Sequence, residues 1–344
     1  MSFKHIFLLN MHLLYVHTEY HSVPRQIESN YSILCVCSQK FERNAIFRQL
    51  YRLPDCKALK KKQYNDITVH YFFYRGHHIA VAVTGKNILS TSQRLSKLLL
   101  LFPNVEKVFF VGIGGSLNPN LEPGDVCIPE KWAFHTAGYI YNKKSDGTHA
   151  RRYEQEFPNY KDFYPSSTEI GVDSNDEIIR TQFLTCPNSL FTAVQTILRS
   201  TSPGHDFTMW IGGSGVSGTV FVDSDTYRQY LVKTYGASVV DMESFAVALI
   251  CHDFQKFFCV IRGISDLAGN REHSNSENAI DTYRDMAANN AAITFTDILR
   301  SIELSKRNHQ KIPLTLIQKL LFPPKNPECT IQNIPHAPKV NACF

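Results

Sequence analysis

Short, almost purely apolar runs are the feature of this sequence that most restricts its fold. They occupy Ser32–Cys37 (SILCVC), Lys107–Gly112 (KVFFVG) and Phe257–Arg262 (FFCVIR). Such runs are typical of β-strands that are covered on both faces of a sheet. Other segments, notably Ile88–Phe102 and Asp281–Glu303, carry the pattern of amphipathic or long helices. The alternation of the two patterns predicts an α/β fold.

The chain has 344 residues, enough for one large domain or two ordinary ones. We predict one domain over residues 32–303, preceded by an N-terminal extension over 1–31. Residues 142–207 are polar and irregular, and they are interpreted as an insertion with one short helix near Leu190–Leu198. Residues 304–344 contain six prolines, which predicts an irregular C-terminal tail.

Composition argues against several classes of protein. The net charge of +5 is small and is not gathered on one arm or face, so nucleic-acid binding is not predicted. The basic triplet Lys60–Lys62 is interpreted as a solvated turn. The cysteines include no C-x-x-C pair, and neither a metal nor a cofactor is predicted. Five of them lie in apolar runs and are expected to be reduced and buried, namely Cys35, Cys37, Cys127, Cys251 and Cys259.

The N-terminal sequence is compatible with two cellular locations. The stretch MSFKHIFLLNMHLLYVH has a basic residue, Lys4, near its start and continues with an apolar segment, as a signal peptide does. Asn10, His12 and His17 interrupt it, and no small-residue cleavage site follows. A cytoplasmic protein is therefore expected, with secretion or a vacuolar location as the alternative if the segment is a signal. No stretch is long and apolar enough to predict a membrane span.

The stretch VVDMESFAVALICHDFQKFFCVIRGISD places acids at both ends of an apolar helix and strand. Its helical spacing predicts that Asp241 is the N-cap and that Glu243 lies in the first turn. Asp266 follows the predicted strand. Taken singly, these acids need only structural roles, because an acid near a helix N-terminus is stabilised by the helix dipole.

The acids gain significance from their position at strand ends. Glu42, Gly85, the turn-rich Gly112–Gly115 segment and Asp266 each follow a predicted strand. In open α/β sheets, ligands bind along the rim formed by the carboxyl ends of the strands, so one cleft is predicted. The glycine segment does not fit a dinucleotide fingerprint, because Leu117 stands where the third glycine belongs.

Two groups of motifs resemble the nucleoside phosphorylase-I family, which includes purine nucleoside phosphorylases and methylthioadenosine/adenosylhomocysteine nucleosidases. They are VGIGGSLNPNLEPGDVCIPE and VSGTVFVDS…VVDMESFAVALICHDF…VIRGISD. The sequence motifs FVD…YR…DMES and SDLAG are most similar to those of the plant bark-storage-protein branch. The resemblance implies a single α/β domain, a twisted mixed sheet flanked by helices, that binds a nucleoside at its strand ends. It also implies a homo-oligomer, a dimer or a trimer.

The resemblance further implies that three acids carry the chemistry. Asp266 would protonate the purine at N7, Glu243 would bind the ribose 2′- and 3′-hydroxyls, and Glu42 would orient the attacking water. The alternative for Glu42 is a solvent-facing loop acid. Residues expected to contact the substrate are Met242 on the sugar face, Phe221 and Val222 at the base, and Ser265, Gly114 and Ile113 near them. His135 either closes over the site or is an ordinary loop histidine.

Some positions depart from the family pattern, and they leave two functions open. Ile113 stands where the nucleosidases have a serine, and Phe110 stands where the phosphorylases have an arginine. Arg43 lies about two sequence positions away from the place where the family has its other phosphate-binding arginine. Cleavage of a purine nucleoside is therefore expected, with hydrolysis favoured over phosphorolysis. The alternative is a catalytically weak or inactive protein of the bark-storage type.

Overall fold

A computed structural model describes residues 31–140, 158–201, 204–269 and 276–302. The described residues include most of the predicted domain and part of the predicted insertion. The C-terminal tail, the N-terminal extension up to residue 30 and the first part of the insertion lie outside them. The proposed boundaries at the two ends of the chain therefore remain predictions.

The described residues form sixteen strands and six α-helices. The strands are β1 Ile33–Cys37, β2 Lys57–Tyr64, β3 Ile67–Tyr74, β4 His77–Val83, β5 Lys107–Ser116, β6 Val126–Ile128, β7 Lys131–Phe134, β8 Gly138–Ile140, β9 Phe163–Pro165, β10 Thr168–Val172, β11 Ile178–Thr181, β12 Leu184–Thr185, β13 Met209–Ile211, β14 Ser214–Ser217, β15 Ala237–Asp241 and β16 Phe257–Asp266. The helices are α1 Lys40–Arg52, α2 Ile88–Leu101, α3 Asn188–Thr201, α4 Asp225–Tyr235, α5 Ser244–Asp253 and α6 Ser276–Ser301.

Twelve of these strands form one mixed sheet. Its main path runs β12-β7-β14-β15-β5-β1-β4-β3-β2, and β16 pairs with β5 and β6 beside that path. Strands β1, β4, β5 and β16 are joined in parallel, whereas β15 runs antiparallel to β5. The described part of the chain thus has a central mixed sheet flanked by helices, and the predicted fold class is confirmed.

The predicted apolar runs form the centre of the sheet. Strand β1 is buried along its whole length, and β5 and β16 are buried at almost every position. Helix α2 turns Leu95, Leu98 and Leu99 towards the core, as its spacing predicted. The five cysteines expected to be buried are buried and free, so their interpretation as small core residues is confirmed.

Several boundaries differ from the predictions. The glycine segment is not a turn, because β5 continues through it to Ser116. Lys60–Lys62 lie within β2, an exposed edge strand, and not in a turn. Lysines on an edge strand discourage pairing with other chains, which accounts for this run of charge. The helix in the insertion is longer than predicted, and strands accompany it.

The stretch around Asp241 also needs correction. Asp241 ends β15, and Glu243 is the N-cap of α5. The side chain of Asp241 still accepts hydrogen bonds from the backbone N–H groups of Glu243 and Ser244, so it caps the helix from the preceding strand. Helix α5 is buried on nearly all sides, and not along one face only. None of the helices within the described ranges combines the length and the apolar character that a membrane crossing requires.

Candidate active site

The structure brings the predicted acids to one edge of the sheet. Glu42 lies on α1, directly after β1, and Asp266 ends β16. Both strands run parallel to β5, whose glycine segment lies between them. Because the carboxyl ends of parallel strands meet at one edge, their side chains face a common region. Two clusters form there, which we name the arginine corner (Glu42, Asp241, Glu243 and Arg262) and the Asp266 corner (Gly115, Ser265, Asp266 and Ala268).

Glu42 is a buried residue in the first turn of α1. Its Oε2 accepts hydrogen bonds from Gln39 N and Ser38 Oγ, both at 2.8 Å, and its Oε1 accepts one from Ile113 N at 3.0 Å. Burial raises the pKa of its carboxyl group, and the charge of Arg262 opposes that effect. The alternative of a solvent-facing loop acid is therefore wrong, since Glu42 joins α1 to the glycine segment of β5.

Arg262 lies at the centre of the arginine corner and was assigned no role from the sequence. It is completely buried, and its Nε donates to Asp241 Oδ2 at 2.7 Å. Its Nη2 donates to Ser244 Oγ at 3.0 Å. The guanidinium carbon lies 4.0 Å from the ring centroid of Phe110. The sequence did contain a signal for this role, since Arg262 is the single cation at the end of an otherwise apolar strand. A buried charge requires partners, so such a residue marks a polar cluster.

Arg262 and Glu42 both pack closely against Gly112 of β5. A Cβ atom placed on Gly112 would overlap both Arg262 Nη1 and Glu42 Oε1. Nη1 has no hydrogen-bond partner among the described residues. Only glycine, which has no side chain, fits beneath these two atoms, so an unpaired donor and an acceptor both lie directly above this position of β5. An oxygen-containing molecule that both accepts and donates hydrogen bonds would match the two groups.

Glu243 completes the arginine corner on the side of α2. Its Oε1 accepts a hydrogen bond from Asn87 N at 2.9 Å, and its Oε2 lies 3.7 Å from Arg262 Nη2. Gly85 and Asn87, which follow β4, both have positive φ angles and form the tight connection that presents this N–H group. Burial, followed by the charge of Asp241, raises the pKa of Glu243 to about 7, while Arg262 opposes the rise.

The Asp266 corner contains a carboxyl group with neutral hydrogen-bond partners. Asp266 Oδ2 accepts a hydrogen bond from Ser265 Oγ, and Oδ1 accepts one from Ala268 N, both at 2.9 Å. Ser265 Oγ also lies 3.3 Å from the carbonyl oxygen of Gly114. Burial raises the pKa of Asp266 to about 6. A carboxyl group in this state keeps its proton more readily than one in water.

The two corners are separated along β5. Arg262 pairs with Gly112 in the sheet, whereas Asp266 pairs with Gly115. Three residues of a β-strand span about 10 Å, so the two corners can contact different parts of one small molecule. The register of β16 shifts between Ile264 and Asp266, and this irregularity sets the position of Asp266 relative to β5.

The predicted base-contacting residues lie in the segment after β14. Val222 is buried and belongs to the same apolar cluster as Ala268, which places it on the side of the Asp266 corner. Phe221 is 50% exposed. Met242 is half-buried between β15 and α5. A stacking role for Phe221 remains a prediction, since its ring is available at the surface.

His135 occupies a fully buried position in the turn after β7. Its Nδ1 lies 2.9 Å from Tyr227 Oη, and its Nε2 lies against Gly218 with no hydrogen-bond partner among the described residues. Burial lowers its pKa to about 4, so the ring is neutral near pH 7. Its closing over the site remains a prediction, as does the alternative of an ordinary loop histidine.

Comparison with known families matches residues 33–300 to the family described as the phosphorylase superfamily. The matched range contains both corners and all strands of the central sheet. The chain belongs to the phosphorylase superfamily. The family membership indicated by the sequence motifs is therefore confirmed, whereas the likeness to the bark-storage branch remains a prediction.

Relatives of this phosphorylase-superfamily protein include 5′-methylthioadenosine/S-adenosylhomocysteine nucleosidases. One from Buchnera aphidicola subsp. Baizongia pistaciae is 22% identical over 293 residues, which cover 83% of this chain and 96% of the relative. One from Staphylococcus aureus (strain JH9) is 27% identical over 221 residues, which cover 61% of this chain and 79% of the relative.

Solved structures of Helicobacter pylori proteins share the fold. A nucleosidase of the same name, crystallised with a substituted pyrrolidin-3-ol, has a TM-score of 0.59 at 20% identity, covering 80% of this chain and 100% of the other. A futalosine hydrolase has a TM-score of 0.60 at 20% identity, covering 79% of this chain and 99% of the other. These matches confirm the fold of the phosphorylase superfamily for this chain.

Proposed function

We propose that this protein hydrolyses the N-glycosidic bond of a purine nucleoside. The observation that carries the proposal is the pairing of the two corners at one sheet edge. One corner holds a carboxyl group whose pKa is raised to about 6, and the other holds an unpaired donor and an acceptor that both lie against Gly112. Breaking the bond to a purine requires a proton on the base and an oxygen nucleophile at the sugar, and the two corners supply groups for both.

Asp266 is the proposed general acid. A neutral purine leaves readily only when a proton reaches N7, and a carboxyl group with a raised pKa can deliver that proton near neutral pH. Ser265 and Ala268 N hold the carboxyl group at 2.9 Å from each oxygen and so limit its rotation. Val222 and Phe221 are proposed to contact the base on the same side.

Glu243 is proposed to bind the ribose hydroxyls, with Met242 beside the sugar. Positive charge develops on the ribosyl group as the bond breaks, and a nearby carboxylate stabilises it. The hydrogen bond from Asn87 N holds one oxygen of Glu243, at 2.9 Å. Ionised Glu243 is therefore the form that this role requires.

Water is the proposed nucleophile, held between Glu42 Oε1 and Arg262 Nη1 above Gly112. Glu42 would accept a proton from the water as it attacks C1′, while Arg262 would donate to its oxygen. The buried ring of Phe110, beneath the guanidinium, offers no hydrogen bond to an anion. Arg43 hydrogen-bonds to Asn44 and lies over Phe47, so its observed contacts are local to α1. These contacts favour a neutral water over phosphate.

The substrate candidates come from the relatives. Nucleosidases of the phosphorylase superfamily named for 5′-methylthioadenosine and S-adenosylhomocysteine are similar to this chain, and a futalosine hydrolase shares its fold. We therefore propose a purine nucleoside that carries a 5′-substituent. Adenosine and inosine serve as comparisons without such a group, and uridine serves as a pyrimidine comparison.

The test measures release of free base by the full-length protein from each nucleoside, with and without added phosphate. Hydrolysis predicts free base and free ribose product at rates that do not depend on phosphate. Strict dependence on phosphate, with a ribose 1-phosphate product, would replace hydrolysis with phosphorolysis. Nucleoside binding without base release under either condition would favour the storage or binding alternative, for which Ile113 beside Glu42 is the relevant departure.

A further inference from the structure

Asp241 has more hydrogen-bond donors around it than a helix cap requires. Its Oδ1 accepts from Ser217 Oγ at 2.5 Å and from the N–H groups of Glu243 and Ser244, both at 3.1 Å. Its Oδ2 accepts from Arg262 Nε at 2.7 Å and also from Ser244 Oγ. One buried carboxylate therefore joins β14, the start of α5 and β16.

The two carboxylate oxygens of Asp241 make different sets of contacts. Oδ1 contacts the helix N-terminus and β14, and this set of contacts alone would make Asp241 a structural cap. Oδ2 contacts the guanidinium of Arg262, which is completely buried. A cap does not need a cation, so the second set of contacts calls for a different explanation.

The consequence for Arg262 follows from the planarity of its guanidinium group. Asp241 holds Nε, and Ser244 Oγ accepts from Nη2 at 3.0 Å. Once these two nitrogens are held, the direction of Nη1 is determined, because all three nitrogens share one plane. Nη1 is the nitrogen that lies against Gly112 and has no hydrogen-bond partner among the described residues.

Asp241 also affects how the charge of Arg262 is shared. The guanidinium makes its short contact with Asp241 at 2.7 Å, whereas Glu243 Oε2 lies 3.7 Å from it. Asn87 N is thus the hydrogen-bond donor to Glu243 Oε1, and the other carboxylate oxygen of Glu243 stays available for a ligand. Without Asp241, Arg262 could move towards Glu243 or Glu42, since both carboxylates are close to it.

We infer that Asp241 is a positioning residue, which orients Arg262 Nη1 towards the attacking oxygen and keeps the guanidinium from closing onto Glu243. This inference rests on the proposed function. Asp241 need not touch the substrate, and it acts through Arg262. The substitution Asp241→Asn separates this role from simple capping. An asparagine oxygen can still accept at one end, but its NH₂ group then faces either Arg262 Nε or the helix N–H groups, all of which are donors.

The experiment measures base release from 5′-methylthioadenosine by the wild type and by the variants Asp241→Asn, Arg262→Met and the double variant. We expect Asp241→Asn to lower kcat on the order of 10–100-fold, as for other groups that orient a directly acting residue, with KM changed by less than about threefold. If Asp241 acts through Arg262, the double variant will have the kcat of Arg262→Met alone, because effects within one unit do not multiply. Its Tm should exceed that of either single variant, because the two buried charges are removed together.

Asp297→Asn provides a matched control. Asp297 is another buried aspartate that pairs with an arginine, Arg300, and with His205, but it lies on α6 outside both corners. Its substitution should lower Tm and leave kcat unchanged. A loss of kcat as large as that of Asp241→Asn would show that loss of any buried aspartate impairs the enzyme, which would overturn the inference.

A second measurement covers the case in which Asp241→Asn does not fold. Arg262→Ala leaves a cavity, and added guanidinium ion should restore part of its activity only while Asp241 is present to bind it. The double variant Asp241→Asn/Arg262→Ala should show no rescue. Equal rescue in both backgrounds, or losses of kcat that multiply in the first experiment, would overturn the positioning role. Absence of base release by the wild type would instead overturn the proposed function and, with it, this inference.

Discussion

The arginine corner and the Asp266 corner are both buried, but they differ in the groups that surround their acidic side chains. In the arginine corner, Glu42, Asp241 and Glu243 share the charge of Arg262. In the Asp266 corner, the hydrogen-bond donors to Asp266 are a hydroxyl and a backbone N–H group. The charge of Asp223 raises its pKa further.

This difference separates two chemical tasks on one sheet edge. In the arginine corner, Arg262 opposes the rise in pKa that burial causes for Glu42 and Glu243, which favours the ionised forms needed to accept a proton or stabilise positive charge, although the pKa of Glu243 is still raised to about 7. A buried carboxyl group without a cation favours the protonated form, which suits a group that must donate a proton. The proposed mechanism predicts that changes in each corner will have separable effects.

The largest effect is expected from Asp266→Asn. The amide has nearly the same shape but cannot donate the required proton, so base release should fall on the order of 10²–10⁴-fold. Binding of the nucleoside should change little, because the arginine corner is untouched. Steady-state rates and calorimetric binding of 5′-methylthioadenosine measure the two quantities. Turnover within a few fold of the wild type would remove Asp266 from its proposed role.

The next effect is expected from Gly112→Ala in the arginine corner. The added methyl group would overlap Arg262 Nη1 and Glu42 Oε1, so both groups would have to shift from their present positions. A displacement of about 1 Å at a reacting group can reduce the rate on the order of 100-fold. Gly204→Ala is the control, because nothing lies within 4 Å of its added Cβ atom. Equal rates for the two variants would argue against the proposed water site.

The two corners should also be separable by pH. The pKa of Asp266 is raised to about 6, so its protonated fraction falls tenfold per pH unit well above that value. If Asp266 must be protonated and Glu243 ionised, kcat/KM of the free enzyme should follow a bell-shaped pH profile, with its maximum between about pH 6 and about pH 7 and an alkaline limb above it. Glu243, with a pKa raised to about 7, is expected to act in the ionised form and would contribute the opposite slope. An alkaline limb that persists in the residual activity of Asp266→Asn would assign it to another group.

The smallest effect concerns stability. The pKa of Asp266 is raised from 3.8 to about 6, so the folded protein binds a proton that the unfolded chain releases between these values. Folding stability is therefore lost as pH rises from about 4 to about 6, by up to about 3 kcal/mol. Asp266→Asn avoids this loss, although weaker hydrogen bonds cost about 1 kcal/mol.

Urea denaturation at pH 3.5 and pH 8 checks this prediction. The variant should be the less stable protein at pH 3.5 and the more stable one at pH 8, by about 1–2 kcal/mol after the lost hydrogen bonds are included. A constant difference between the two proteins at both pH values would show that Asp266 does not titrate in the expected range.

The sequence by itself determined the central strands and the location of the acids. Runs such as SILCVC and KVFFVG have no polar face, so they can lie only where both sides of a sheet are covered. Helix α2 followed from its leucine spacing for a similar reason. The approximate positions of Glu42 and Asp266 followed from these elements, because each acid adjoins the end of a buried strand.

The tertiary structure decided the features that depend on pairing between distant segments. Strand β5 continues through its glycines because β16 and β15 supply hydrogen bonds there, which no local signal in Gly112–Gly115 could indicate. The register shift before Asp266 arises from the same pairing. The partners of Arg262 come from β15 and α5, as many as 21 positions away in the sequence. A local pattern predicts which residues are buried, but only the fold brings a buried charge to its counter-charge.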